Sequence, residues 1–276
     1  MMMKRSKTIL GLLVLSITAC LVISGCMFFP PLENFNDPKA DRKLVWSDEF
    51  NGTSSAPDTD KWDYDIGTGV NGWGNNEVQT YTDTRTNSFV SNGTLKIKAV
   101  KNGSTWTSAR LKTQGKYNFK YGYIEARIKL PAGNGVWPAF WMLGNNIGSV
   151  GWPKCGEIDV MEYSPKTSRP NQVYATAHYA DTKGNHQYTS LGIYTDHTVT
   201  STYHTYGMKW TDTELTWYYD GQIAGKTFRK MADTPWPFSQ NFFIILNVAM
   251  GGNLGGAIDS NLTEAVMEVD YVRVYQ

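Results

Sequence analysis

The stretch "GEIDVMEY", residues 156–163, sets Glu157, Asp159 and Glu162 within six positions among apolar neighbours. On a β-strand, side chains alternate between faces, so Glu157 and Asp159 share one face and Ile158 takes the other. Glu162 stands five positions after Glu157. In a regular strand that odd separation would turn it into the core, where an unpaired carboxylate is costly or forced neutral. One extra residue at Val160-Met161, a β-bulge, restores the phase and brings all three acids to one face.

Three acids on one face repel one another. They can coexist only where the surroundings spread their proton affinities apart. Glycoside hydrolysis uses that situation, with one carboxylate ionised and one carboxyl kept protonated near neutrality. A double-displacement pair stands about 5–5.5 Å apart. Alternate strand positions repeat every ~6.6–6.8 Å, so Glu157 and Glu162 must lean toward each other across Asp159. Asp159 can then hydrogen-bond the nucleophile and raise its partner's proton affinity. The stretch alone does not say which Glu plays which part.

The surrounding chain reads as short alternating runs separated by turn residues, with almost no helical periodicity. "SFVSNGTLKIKAV" (88–100) is a hairpin turning at Asn92-Gly93. "YGYIEARIKL" (121–130) puts Ile124, Ala126, Ile128 and Leu130 on one face and Tyr123, Glu125, Arg127 and Lys129 on the other. "LTWYYDGQIAGK" (215–226) folds back at Asp220-Gly221, and "FFIILNVAM" (242–250) is apolar enough for a buried strand. There is no internal repeat and no second domain. The expected fold is all-β, an antiparallel two-sheet sandwich of jelly-roll type with a substrate cleft on its concave face.

The beginning of the chain has another character. Lys4, Arg5 and Lys7 precede an apolar run from Ile9 to Ile23, and "SGC" ends at Cys26. These are the parts of an export signal. The small-small-Cys ending resembles a bacterial lipobox, with Cys26 preferred to Cys20 as the lipidated residue. The expected organisation is a signal at 1–25, a tether at 26–42 and one catalytic domain at 43–276. The product would be exported and anchored by lipid, at the cell surface or in the periplasm. An uncleaved anchor and a plain secretion signal are the alternatives. After Cys26 the remaining cysteine is Cys155, so a lipidated Cys26 would leave it without a disulfide partner. By alternation Cys155 shares the face of Glu157.

Three of the 26 basic residues lie in the leader, which leaves 23 against 25 acidic ones, a net charge of −2. That balance excludes nucleic acid as a partner and points to a neutral ligand. All ten tryptophans lie between Trp46 and Trp236. Such a number suits stacking on sugar rings, with three to five expected in a groove. Trp137 and Trp141, four apart, fall on one strand face. Trp152 and Trp236 sit in Gly/Pro loops. Arg110 is a forked donor suited to sugar hydroxyls or a carboxylate. Asn75 is a further polar candidate, with Asn76 its rival by phase. No His/Cys cluster suggests catalytic zinc.

"GEIDVMEY" matches the E-x-D-x-x-E signature of glycoside hydrolase family 16. "WSDEFNG", "WGNNEVQTYT", "YGYIEARIKLPAGNGVWPAFWMLG", "NVAMGGNLGG" and "VDYVRVYQ" resemble the laminarinase branch of that family over Leu44 to Gln276. The resemblance implies a retaining endo-β-1,3- or mixed β-1,3/1,4-glucanase. Glu157 would be nucleophile, Asp159 its helper and Glu162 general acid and then base. It also implies sugar subsites at Asn75, Arg110, Trp137, Trp141 and Trp152, and a role for His178 beside the acid/base or the leaving sugar. No catalytic cofactor is implied. A structural Ca²⁺ on the convex side would fall to Glu49, Gly93 through its carbonyl, and Asp270. A monomer acting on β-glucan is expected. The alternatives are a family 16 galactanase and a non-catalytic glycan-binding lipoprotein.

Overall fold

The computed structural model describes residues 37–165, 171–195, 199–225, 228–232 and 234–276. The export signal, Cys20, Cys26 and the tether as far as Asn36 lie outside the described residues. Among the described residues the strands form a seven-stranded and a twelve-stranded sheet. The seven-stranded sheet contains β1 (Asp63–Asp65), β2 (Arg110–Lys112), β3 (Val136–Gly144), β4 (Glu157–Tyr163), β5 (Gln172–Ala180), β6 (His186–Tyr194) and β7 (Phe242–Met250). Their order is β6-β5-β4-β3-β7-β2-β1, all antiparallel. β7 lies between β3 and β2 with every residue buried, as its nearly continuous apolar sequence requires.

The second sheet covers the inner face of the first. Its middle holds His204–Trp210, Gly122–Lys129 and Glu264–Tyr275 side by side. Apart from one short parallel pairing, Gln79–Tyr81 with Thr105–Ser108, it too is antiparallel. Ile124, Ala126, Ile128, Met208 and Trp217 from this sheet meet Phe140, Met142, Ile158, Val160 and Met161 from the other in one core. Both expected hairpins are present. Asn92 and Gly93 take φ of 51° and 74°, and Asp220 and Gly221 take 48° and 76°, the left-handed pair that a two-residue turn needs.

Two outward positions, Tyr123 and Glu125, are not open. Glu125, expected on the outer face, is buried. The segment before the first strand folds over it: Pro38 is buried and Lys39 Nζ reaches 3.4 Å from Glu125 Oε2. The hydroxyl of Tyr275 donates to Oε1 of the same carboxylate at 3.3 Å.

Candidate active site

The strand register carries the bulge that the acid spacing demands. β4 pairs Asp159 with Trp141 and Glu162 with Ala139 on β3, with a shift between them; Met161 faces Phe140 and Val160 is left over. On the other edge Asp159 faces Thr176 and Glu162 faces Tyr174, two residues apart on β5 against three on β4. Val160 and Met161 are therefore both buried in the core beside Ile158, and the three acids point outward together. The bulge is braced from below, because the Trp217 indole donates to the Asp159 carbonyl at 2.9 Å.

The acids lie on the floor of a cleft of about 640 Å³ across the outer face of the seven-stranded sheet. One row of paired residues crosses that sheet from Glu162 through Ala139, Asn247 and Arg110 to Asp65. Ala139 keeps the space beside Glu162 open. Trp137 Nε1 donates to Glu162 Oε1 at 2.9 Å, and Trp152 Nε1 donates to Glu157 Oε2 at 3.0 Å. His178 Nε2 stands 3.0 Å from Asp159 Oδ2 and 3.7 Å from Glu157 Oε1. The two outer acids thus each take an indole N–H, and the middle one faces an imidazole.

Burial raises the proton affinity of all three, because a carboxylate loses its water there. Glu157 is pushed up to about 8 by burial and by the charge of Asp159, against the pull of His178. Glu162 is likewise raised to about 8 by burial and by Asp159, opposed by the Trp137 hydrogen bond. Asp159 is raised to about 8 by burial, opposed by its hydrogen bond with Glu157. The cluster therefore holds a proton at neutrality, the condition for a general acid.

Each expected sugar-binding residue lines the cleft: Asn75, Arg110, Trp137, Trp141, Trp152 and His178. Four of the ten tryptophans are there, the fourth being Trp73. Asn75 rather than Asn76 faces the cleft; Asn76 donates instead to Asn253 Oδ1 at 2.9 Å, and both are exposed. Trp141 spends its N–H on Asn247 Oδ1 at 2.7 Å and offers its ring to Arg110. The Arg110 guanidinium lies 4.6 Å from the ring centres of both Trp73 and Trp141, and its Nε is 2.9 Å from Asp65 Oδ2. Trp236 does not join them. It packs on Phe228 and Phe238 and borders a separate depression with Lys154 and Lys183. Cys155 is not on the cleft floor either. It keeps the face of Glu157 that alternation gives it, but is buried beneath the floor with Leu143, Phe243 and Ile245, under Trp141 and Ile147.

Several residues of the site escaped the sequence reading. Asn247 is the lone polar side chain in an apolar strand, a signal that could have found it. It passes a hydrogen bond to Tyr81, whose hydroxyl donates to Glu77 Oε2 at 3.2 Å. Glu77 lies in the quoted "WGNNEVQ" and lines the cleft as a fourth carboxyl, raised by burial against hydrogen bonding from Gln79. His186 and Tyr188, on the edge strand β6, complete the far wall.

Among the described residues, the donor atoms of Glu157, Asp159 and His178 converge within 4.8 Å, and Nδ1 of His178 is taken by His186 Nε2 at 2.8 Å. The expected calcium set fits only in part. The Glu49 carboxylate is held by Arg273 at 3.0 and 2.8 Å, and Asp270 Oδ2 by Arg127 at 2.7 Å. Those pairings leave Asp270 Oδ1 as the carboxylate oxygen of the expected set not held by an arginine.

Known proteins resemble the chain along most of its length. The profile of glycosyl hydrolases family 16 matches residues 75–273. A β-glucanase of Rhodothermus marinus is 39% identical over 272 residues, 92% of this chain and 92% of that protein. The crystal structure of a laminarinase from Flavobacterium sp. UMI-01 aligns with a TM-score of 0.76 at 43% identity, covering 85% of this chain and all of that one. A LamA variant from Z. galactanivorans, solved in complex with laminaritriose and laminaritetraose, gives a TM-score of 0.74 at 37% identity over 85% of this chain and 99% of its own. A profile match running from the Asn75 loop into the last strand, joined to relatives alike over nearly their whole length, places this chain in glycoside hydrolase family 16, to which it belongs.

Proposed function

We propose that the protein is a retaining endo-β-1,3(4)-glucanase whose reaction is carried by Glu157, Asp159 and Glu162. The observation that carries this reading is the bulge at Val160-Met161, which turns Glu162 to the same cleft floor as the other two acids. Glu162, protonated in its buried setting, gives its proton to the glycosidic oxygen as Glu157 attacks the anomeric carbon. The C–O bond breaks and a glycosyl ester forms on Glu157. Glu162, now a carboxylate, takes a proton from water, whose oxygen displaces the ester with a second inversion. Asp159 stands between them and alternates as hydrogen-bond partner of Glu157. Trp137, Trp141, Trp152 and the Arg110 fork supply the faces and donors that hold the glucan.

The test is a substrate panel of laminarin, barley β-glucan, lichenan and agarose, with the fresh product followed by NMR. β-Anomer released from the first two substrates supports the reading. Initial α-anomer, or release from agarose alone, refutes it.

Two finer readings belong to the same proposal. Export with lipidation at Cys26 rests on the basic, apolar and small-residue order of the leader. Labelled fatty acid should enter the wild type and the Cys20→Ser variant but not Cys26→Ser. Calcium binding rests on the family resemblance at Gly93 and Asp270 and on Asp270 Oδ1, which Arg127 leaves free of its pairing; added Ca²⁺ should raise the melting temperature of the wild type and not of Asp270→Ala.

A further inference from the structure

His186 has no task in the chemistry above, yet its position is defined. Cross-strand register sets Ala180 against His186 and His178 against Tyr188, so the two histidines stand diagonally on the cleft face of β5 and β6. His186 Nε2 is 2.8 Å from His178 Nδ1. Trp152 packs on the His186 ring with centroids 4.5 Å apart, and Tyr188 lies at 5.8 Å. The opposite edge of His178 faces Asp159 at 3.0 Å and Glu157 at 3.7 Å.

A neutral imidazole has one N–H and one lone pair. With Asp159 ionised, Nε2 of His178 must carry the hydrogen, since it faces carboxylate oxygens. Nδ1 is then a lone pair and needs a donor, and the group at hydrogen-bond distance is His186 Nε2. We propose that His186 is a positioning residue, whose Nε2–H holds His178 in the tautomer that presents Nε2–H to the buried, otherwise unpartnered Asp159 Oδ2. The inference rests on the catalytic reading of Glu157, Asp159 and Glu162. Without that donor, His178 is free to move its hydrogen to Nδ1. Its lone pair would then face Asp159, an arrangement that favours Asp159 only when it is protonated. A protonated Asp159 can no longer accept a second hydrogen bond as an anion while Glu157 changes from nucleophile to ester.

Two substitutions separate the N–H from the ring. His186→Phe keeps the packing on Trp152 and Tyr188 and removes the donor. His186→Gln restores an N–H near the same place. The chain has four histidines, so ring ¹⁵N signals can be assigned one by one. In the wild type His178 should show the Nε2–H tautomer. In His186→Phe that signature should be lost, and kcat on laminarin should fall roughly tenfold while KM moves less than about twofold, the scale of one hydrogen bond. His186→Gln should recover both. An unchanged His178 tautomer and kcat in His186→Phe overturn the proposal, as does a Gln variant no better than Phe. The ring spectra need no turnover: loss of the tautomer in the Phe variant of an enzyme inactive on every β-glucan would support the pairing and sink the glucanase reading alone.

Discussion

Trp217, on the sheet facing away from the cleft, donates its indole N–H across the core to the main-chain carbonyl of Asp159 at 2.9 Å. A bulge takes carbonyls out of the ladder, and a buried carbonyl without a partner costs free energy. The indole satisfies that carbonyl at the residue where the strand leaves its regular register. The fold's second layer thus supports the turn of the chain that sets Glu162 beside Glu157.

Removing that donor should cost stability and alignment together. Trp217→Phe leaves the carbonyl unpaired and a small void, so unfolding free energy should drop by about 1–3 kcal/mol. Urea denaturation measures it. The kcat on laminarin should fall further than the melt predicts at assay temperature, since the strand carrying the acids loosens. Equal stability in the two proteins would mean that the bulge is held by its sheet neighbours alone.

How much of this was legible beforehand varies by residue. The bulge could be read because an odd spacing between charged groups on one strand has few resolutions. The buried central strand and the two-residue turns at Asn92 and Asp220 were visible for equally local reasons. Contacts made between distant strands were not. Trp217 meets Asp159 across the core, His186 meets His178 across a pair whose register no single strand encodes, and the Asn247–Tyr81–Glu77 chain links strands far apart in sequence. Glu125 alternates as an outward residue and is buried because Lys39 and Tyr275 close over it. Alternation gave Cys155 its face but not its depth beneath Trp141 and Ile147, and Trp236 lies away from the cleft because its loop packs on Phe228 and Phe238.

Arg110 should not be replaceable by lysine. Its flat guanidinium lies over the rings of both Trp73 and Trp141, 4.6 Å from each centroid, while its Nε edge faces Asp65. A lysine keeps the charge but cannot cover both rings with a flat group or present a fork. Arg110→Lys should raise KM for laminarin roughly tenfold, with kcat within about threefold. Initial-rate kinetics decide it. A fall confined to kcat would place Arg110 with the reacting centre instead.

The two glutamates should separate by leaving group. Glu162→Gln removes the proton donor, so kcat on laminarin should fall about 10²–10⁴-fold. An aryl β-glucoside oligomer whose leaving group departs without protonation should still form the glycosyl ester, and added azide should trap it as the β-azide. Glu157→Gln should be inactive on both substrates. Activity of Glu157→Gln on the aryl substrate would exchange the two roles.

The raised proton affinities also fix how stability changes with pH. Take Glu162, whose carboxyl is raised in the fold from 4.5 to about 8, mainly by burial and then by the charge of Asp159. Below the unfolded value both states hold the proton, and the group has no effect. Between the two values the unfolded chain releases the proton and the folded one keeps it. The unfolded state then binds fewer protons, so stability falls as pH rises, and the loss levels off above the folded value. Glutamine in that place stays neutral in both states. Glu162→Gln should therefore melt close to the wild type at pH 4 and above it at pH 8, and comparing the pair at each pH cancels the titration of groups outside the acid cluster. On the alkaline side, wild-type activity should decline as Glu162 loses its proton near the same value. A melting difference that is constant with pH, or larger at pH 4, would show that Glu162 is not held in its protonated form and would remove it as the proton donor.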